Sequence, residues 1–169
     1  MSDDQERDTT LARAIGLRER GSAAEARPLL LTLSDRYPAD AEIAYQTAWA
    51  HDVLGLEAEA VPFYERALAG EGLSAEDRHG AFLGLGSTYR ILGRYEEAVT
   101  CLRRGLKDFP GDPALRAFLA MALYNVGESR EAVRTLLEVV AATSADARVQ
   151  GYRRAIEHYA GDLDAVEGC

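Results

Sequence analysis

The sequence predicts an all-α fold, a solenoid of four helix pairs followed by a capping helix, and three observations support it. A glycine followed five residues later by an alanine occurs four times, at Gly21/Ala26, Gly55/Ala60, Gly93/Ala98 and Gly127/Ala132. The glycines are 34, 38 and 34 residues apart, a period typical of repeat proteins. Between them, apolar residues recur at three- and four-residue steps, and no long stretch alternates with a period of two.

The period divides the chain into one repeat domain with short flanking segments. We expect nine helices, two in each repeat and one in the cap. The predicted segments are an acidic, disordered N-terminus at 1–7, repeats at 8–40, 41–74, 75–112 and 113–145, a cap at 146–160 and a flexible tail at 161–169. Gly70 to Asp77 lie within the longer interval, so the largest irregularity is expected there.

Residues at the expected helix ends mark where each helix begins. Each turn glycine lies between two helices, where a left-handed backbone is tolerated without a Cβ clash. In the first repeat, Ser22 followed by Glu25 fits a capping box at the start of a second helix. Ser74 followed by Asp77 fits a similar cap at the start of the third repeat.

Four prolines carry different predictions. Pro38 and Pro110 stand at the ends of the first and third repeats, where a helix should stop. Pro28 and Pro62 lie at equivalent positions, about six residues into the second helices of their repeats. Either these two helices kink, or their regular part begins later.

The third repeat also supplies a recognisable series of residues. In order they are Phe82, Leu85-Gly86, Tyr89, Gly93, Tyr95, Ala98, Leu102, Gly105 and Pro110. This series closely resembles the tetratricopeptide repeat, and the other three repeats match in register, although Arg13 stands at a normally apolar position of the first. The resemblance covers residues 8–144 and implies a right-handed solenoid. The chain is also similar to small stand-alone bacterial tetratricopeptide proteins, for which a dimer is the usual expectation.

Small residues should form the packing seam within each helix pair. They occur seven residues before each turn glycine and five after it, at positions 14, 48, 86 and 120 and at 26, 60, 98 and 132. On antiparallel helices these offsets face each other and let the two backbones approach closely.

Composition excludes several classes of partner. The net charge of −9 opposes sequence-independent binding to nucleic acid and adhesion to anionic membranes. We expect no secretory signal in the acidic start and no membrane span. The two cysteines, Cys101 and Cys169, are too few for a disulfide framework, so a cytoplasmic location is expected.

No group of residues has the pattern of a catalytic or metal site. The three histidines, at positions 51, 79 and 158, lack a second ligand at zinc-like spacing, and His51 is expected to be a packed ring. The glycines of Gly84-Leu-Gly86 lie within a helix, without the preceding strand that a dinucleotide site requires. We therefore expect no enzyme, no cofactor and no metal.

The resemblance instead implies a concave groove, formed by the first helices, that binds a peptide or protein partner. The residues predicted to line it are Leu11, Ile15, Tyr45, Trp49, Asp52, Leu83, Ser87, Arg90, Met121 and Tyr124. This lining is mostly apolar and aromatic, and the scarcity of Lys and Asn disfavours clamping of a C-terminal carboxylate. The alternatives are a homodimer through the same face, a groove filled by the chain's own last helix and, as an outsider, an enzyme.

Overall fold

The computed structural model describes residues 3–166, and in that part of the chain the secondary structure consists of helices and turns. The helices of residues 3–166 are α1 (Asp3–Glu19), α2 (Ala23–Arg36), α3 (Ala41–Asp52), α4 (Glu57–Ala69), α5 (Ala75–Ile91), α6 (Tyr95–Asp108), α7 (Pro113–Asn125), α8 (Ser129–Thr143), α9 (Ala147–Gly151) and α10 (Arg153–Gly161). The predicted all-α class is therefore confirmed.

The chain forms two compact units, Met1–Gly93 and Arg94–Cys169, where the sequence predicted a single repeat domain. The boundary falls at the turn glycine of the third repeat, so α5 belongs to the first unit and α6 to the second. The boundary thus falls within the third repeat, between its two helices, and not between repeats.

In the first unit, each helix packs on its neighbours in the chain. α1 pairs with α2 and α3 with α4, while α2 packs on α3 and α4 on α5. The first helices of the repeats also contact each other, α1 with α3 and α3 with α5. Gly55 ends the α3–α4 turn with φ +71°, and the Leu56 N–H donates to the His51 carbonyl across it at 3.0 Å. This bond satisfies a carbonyl that the end of α3 would leave free.

In the second unit, α7 packs on α6 and pairs with α8, and α10 packs on α8. Gly127 has φ +88° in the α7–α8 turn. The predicted cap is two helices rather than one, because Asp146 caps α9 and the helical path breaks at Tyr152 before α10 begins. The described residues therefore contain ten helices where nine were expected.

The predicted seam of small residues is buried in every repeat. All eight positions are buried, among them Ala26, Ala60 and Ala98 at 0% exposure. The glycine–alanine spacing of the sequence thus reports the close approach of helices, as predicted.

Two helix-end predictions had different outcomes. The Ser74 side chain accepts from the Asp77 N–H at 3.0 Å, which confirms that cap. Ser22 precedes α2 but its hydroxyl makes no capping bond, so that prediction was wrong. Its φ of −96° and ψ of 44° depart from the extended backbone that a capping residue adopts. Helices α2 and α4 both continue through their prolines, Pro28 and Pro62.

The described part of the acidic N-terminus is helical, which corrects the prediction of disorder over 1–7. α1 begins at Asp3, and its acidic first turn is favourable at a helix N-terminus. Arg36 of α2 pairs with Asp3 and Glu6, and the Arg7 Nη2 donates to Asp40 Oδ2 at 2.6 Å. These ion pairs hold the segment against the rest of the first unit.

Candidate interaction surface

The residues predicted to line a groove lie on first helices in both units. Eight of them belong to α1, α3 and α5 of the first unit, and Met121 and Tyr124 belong to α7 of the second. We call the surface of α1, α3 and α5 that carries Ile15, Arg18, Trp49, Asp52, Leu83, Ser87 and Arg90 the first-helix face. Leu11 and Tyr45 are buried, so they support this face from beneath.

An arginine stacked on the only tryptophan of the chain is the most distinctive feature of the first-helix face. The guanidinium carbon of Arg18 lies 3.4 Å from the centre of the Trp49 ring. Tyr45 packs behind it, with its ring centre 5.6 Å from that of Trp49. The stack joins α1 to α3, and a cation held over an indole ring is attracted by the electrons of the ring face.

Arg18 is buried without a full set of hydrogen-bond partners. Its side chain is 7% exposed, and its nearest carboxylate oxygen, Oε1 of Glu19, is 4.0 Å from Nη2. The Nε atom is buried and donates no hydrogen bond. Burial lowers the pKa of Arg18 from its ordinary value, because the charged form has lost water. A buried donor of this kind favours an incoming hydrogen-bond acceptor.

Asp52 is held on the same face by two hydroxyl groups. Tyr64 donates to Oδ2 at 3.0 Å, and Thr88 donates to Oδ1 at 3.1 Å. Burial raises the pKa of Asp52, while these two hydrogen bonds oppose the shift. The sequence placed Asp52 in the groove but did not predict its partners, because they lie 12 and 36 residues away in the chain.

Two glycines of α5 have no side chain where the rings of Tyr45 and Tyr64 pack against the helix. A Cβ at Gly80 would lie 2.2 Å from the hydroxyl oxygen of Tyr45, and one at Gly84 would lie 2.4 Å from that of Tyr64. Burial raises the pKa of Tyr45 to about 12, consistent with a phenol enclosed by protein. The glycines therefore permit α5 to pack closely over both rings.

The C-terminal end of α5 adds an arginine and an apolar side chain. Arg90 occupies the position equivalent to Arg18, three residues before a turn glycine, and its Nε is also buried without a hydrogen bond. The next residue, Ile91, is 60% exposed, and its equivalent on α3, Val53, is 56% exposed. The first-helix face thus combines apolar and aromatic surface with two buried guanidinium donors.

His51 and Cys101, two of the groups considered for metal or redox chemistry, are packed inside the protein. His51 is buried; Arg27 Nε donates to its Nε2 at 3.0 Å, so its Nδ1–H donates to the Thr47 carbonyl at 2.7 Å. This confirms the predicted packed ring. Cys101 is buried, and Cys169 lies outside the described residues. Within residues 3–166, no cluster of three or more His, Cys, Asp or Glu side chains could hold a metal ion.

In the second unit, the two predicted groove residues are open to solvent. Met121 is 37% exposed and Tyr124 is 68% exposed on the same side of α7. A separate cavity of about 350 Å³ lies among α6, α7 and α8, but its rim is polar and its Arg103 pairs with Glu131. Four of its eight lining residues are charged, so it differs from the mostly apolar groove that the sequence predicted.

Comparison with known proteins identifies the repeat. Residues 41–163 match the family described as tetratrico peptide repeat. MamA residues 41-end from Desulfovibrio magneticus RS-1 superimpose with a TM-score of 0.74 at 18% identity, covering 96% of this chain and 92% of that one. A second MamA structure gives 0.69 at 17% identity, covering 99% and 81%. The tetratricopeptide-like repeats of a putative kinesin light chain from Podospora anserina give 0.69 at 21%, covering 95% and 87%.

These structural similarities show the fold. A comparison with curated proteins gives no significant match. None of the helices described here is long and apolar enough to cross a membrane. The family supports a protein-interaction repeat module, since its proteins are typically non-catalytic scaffolds. The matched region covers most of the sequence, and the chain belongs to the tetratricopeptide repeat family.

Proposed function

We propose that the protein is a non-catalytic interaction module that binds a peptide or protein segment on the first-helix face of its first unit. The observation that carries this proposal is the Arg18–Trp49 stack, in which a buried cation lies over an aromatic ring and its Nε donates no hydrogen bond. Tryptophan and arginine are the residue types that most often dominate the binding energy of an interface.

The surroundings of the stack favour an apolar ligand segment. Leu83 and Ser87 are half-buried on α5, and Val53 and Ile91 expose apolar surface at the ends of α3 and α5. An extended segment with a large apolar side chain could cover Trp49 while its backbone carbonyls accept from Arg18 or Arg90. We therefore expect backbone acceptors of the ligand, rather than a terminal carboxylate, to meet the guanidinium groups.

The single tryptophan makes this proposal directly measurable. Peptides selected from a random display library on the immobilised protein should change the fluorescence of Trp49 on binding. Replacing Arg18 with Met keeps most of the stem but removes the donors, and should weaken binding by at least about tenfold. Affinities would be measured by fluorescence anisotropy of the labelled peptide, which does not depend on Trp49.

Tyr152→Ala serves as the matched control, because Tyr152 is a 71% exposed aromatic residue of the other unit. It should bind the selected peptides as the wild type does. Equal loss of binding in both variants, or selected peptides that leave Trp49 fluorescence unchanged, would place the binding surface elsewhere. The participation of Met121 and Tyr124 in the same surface stays a prediction.

Self-association through the first-helix face is the alternative. It predicts that the wild-type protein is a dimer in solution and that Trp49→Glu converts it to a monomer. The half-buried state of Trp49 favours the peptide hypothesis, because a two-fold contact between copies needs a larger exposed apolar area.

A further inference from the structure

One edge of the Arg18 guanidinium group lacks hydrogen-bond acceptors. Its Nε donates no hydrogen bond, and its Nη2 lies 4.0 Å from Oε1 of Glu19, which is too long for one. Nε and Nη2 lie on the same side of the planar group, so together they match the two oxygens of a carboxylate. Because the Arg18 side chain is only 7% exposed, water does little to compensate for the missing acceptors.

Two other arginines of this chain indicate what such an edge binds. Nε of Arg94 donates to Oε2 of Glu97 at 2.6 Å, and its Nη2 donates to the other oxygen of the same carboxylate. Nε and Nη2 of Arg7 both donate to Oδ2 of Asp40, at 3.0 and 2.6 Å. The side chains of Arg94 and Arg7 are 39% and 21% exposed. The most deeply buried of the three, Arg18, is thus the one whose edge is not closed by a carboxylate.

The carboxylates around Arg18 leave its charge only partly compensated. Asp52 occupies the equivalent position of α3, three residues before the turn glycine, but both of its oxygens accept from hydroxyl groups. The charges of Glu19 and Asp77 favour the cation, yet burial outweighs them and lowers the pKa of Arg18. An additional carboxylate at this point would therefore stabilise a buried cation.

Glu19 indicates the direction from which a ligand carboxylate can approach. Its side chain is 65% exposed, so the Nη2 end of the Arg18 guanidinium lies toward solvent. The guanidinium carbon lies 3.4 Å from the centre of the Trp49 ring. A carboxylate that takes the place of Glu19 would thus bind Arg18 while the rest of the ligand lies beside Trp49.

A single negative charge fits this position better than a double one. A phosphate group carries about −1.5 to −2 at neutral pH, and the carboxylates of Glu19 and Asp77 would repel it. A carboxylate has one charge and the planar shape seen in the Arg94–Glu97 pair. The scarcity of Lys and Asn on the first-helix face disfavours a terminal carboxylate. An acidic side chain within the ligand segment is the remaining source.

We propose that the segment bound on the first-helix face carries an aspartate or glutamate whose carboxylate pairs with Nε and Nη2 of Arg18. This inference rests on the proposed function and adds the chemistry of one ligand residue to it. The acidic residue lies next to the apolar residue that covers Trp49, and the backbone carbonyls of the segment are left to Arg90. Since a hydrogen bond between charged groups is stronger than one to a neutral carbonyl, this contact should select among peptides.

Peptides selected from a random display library on the immobilised protein test the inference. Each acidic residue of the tightest peptide is replaced by its amide, Asp by Asn or Glu by Gln, and affinities are measured by fluorescence anisotropy. One such replacement should weaken binding to the wild type at least about tenfold. It should change binding to Arg18→Met less than about twofold, because the partner is gone. Arg13→Met removes an exposed arginine of the same helix and, as the matched control, should respond as the wild type does.

Glu19→Gln gives a second measurement that does not depend on how well Arg18→Met folds. It removes a competing carboxylate from an exposed side chain, so it should tighten the acidic peptide about threefold and leave the amide version unchanged. Selected peptides that change Trp49 fluorescence but contain no acidic residue would overturn the inference alone. So would an amide replacement that weakens binding equally in the wild type and in Arg18→Met. Peptides that leave Trp49 fluorescence unchanged would overturn the proposed function, and this inference with it.

Discussion

The second helices of the third and fourth repeats have matching apolar positions and different surroundings. Val99 and Leu102 of α6 are buried under α7, whereas Val133 and Leu136 of α8 are more than 40% exposed. Both helices belong to the second unit, so the contrast does not depend on how the two units are arranged. Each repeat thus has an apolar side on its second helix. Whether that side is buried depends on the first helix of the next repeat.

Changes on the neighbouring side of α8 accompany the packing of α10 on this helix. Leu137 and Ala141 stand where α6 has the exposed residues Arg103 and Lys107. Ala141 is 1% exposed, and α10 packs on α8. The fourth repeat therefore has an additional apolar side on which the cap packs, while Val133, Leu136 and Val140 stay exposed.

Truncating the two equivalent leucines should give the largest contrast. Leu102→Ala removes a buried side chain and should lower the free energy of unfolding by about 2–5 kcal/mol. Leu136→Ala removes a side chain that is 42% exposed, and should cost less than about 1 kcal/mol in the monomer. Urea unfolding followed by far-UV circular dichroism, at low micromolar concentration, measures both variants. Equal costs for the two variants would show that Leu136 is as well covered as Leu102, and would remove the basis of the comparison.

Much of the fold could be predicted from sequence because the repeat restricts the backbone locally. The turn glycines, the small residues of the seam and the Ser74 cap each depend on residues within a few positions of one another. The turn glycines and the seam residues recur in every repeat, so a departure in one, such as Arg13, does not obscure the pattern.

The sites were less predictable because their contacts join neighbouring repeats through residues that are far apart in the chain. The Arg18–Trp49 stack, the Asp52–Thr88 bond and the Gly84–Tyr64 approach connect helices of different repeats. The exposure of Val133, Leu136 and Val140 was not predicted, because the sequence does not state which side of α8 the cap covers. The apolar Leu137, at a position where α6 has Arg103, is the signal that could have indicated that side.

The side of α4 that packs on α5 provides a second, smaller contrast, because the two helices approach each other closely at Gly84. Gly84→Ala would bring a Cβ within 2.6 Å of the Tyr64 Cζ, and the ring is too enclosed to withdraw. We expect a loss of about 1–3 kcal/mol, although alanine normally stabilises a helix relative to glycine. Urea unfolding followed by Trp49 fluorescence reports on this unit.

Gly151→Ala is the matched control for this overpacking. A Cβ at Gly151 meets no atom within 4 Å, so the substitution should be neutral or stabilise by up to about 1 kcal/mol. Circular dichroism is the suitable probe here, since Trp49 belongs to the other unit. If Gly84→Ala were as well tolerated, Tyr64 would have room to move, and the packing of α4 on α5 would be looser than the Gly84–Tyr64 distances indicate.

The smallest expected effect concerns Asp52, which shares Tyr64 with the covered face of α4. Burial raises the folded-state pKa of Asp52 above its ordinary value of 3.8, so the folded chain holds this proton more tightly than the unfolded chain. The stability of the wild type relative to Asp52→Asn should therefore fall as the pH rises from about 3.8 through the raised pKa, and become constant above it. Urea unfolding of both proteins between pH 4 and 7, followed by Trp49 fluorescence, measures the difference. A relative stability that rises over the same interval would mean that the Tyr64 and Thr88 hydrogen bonds outweigh burial, and that the carboxylate is held in its charged form.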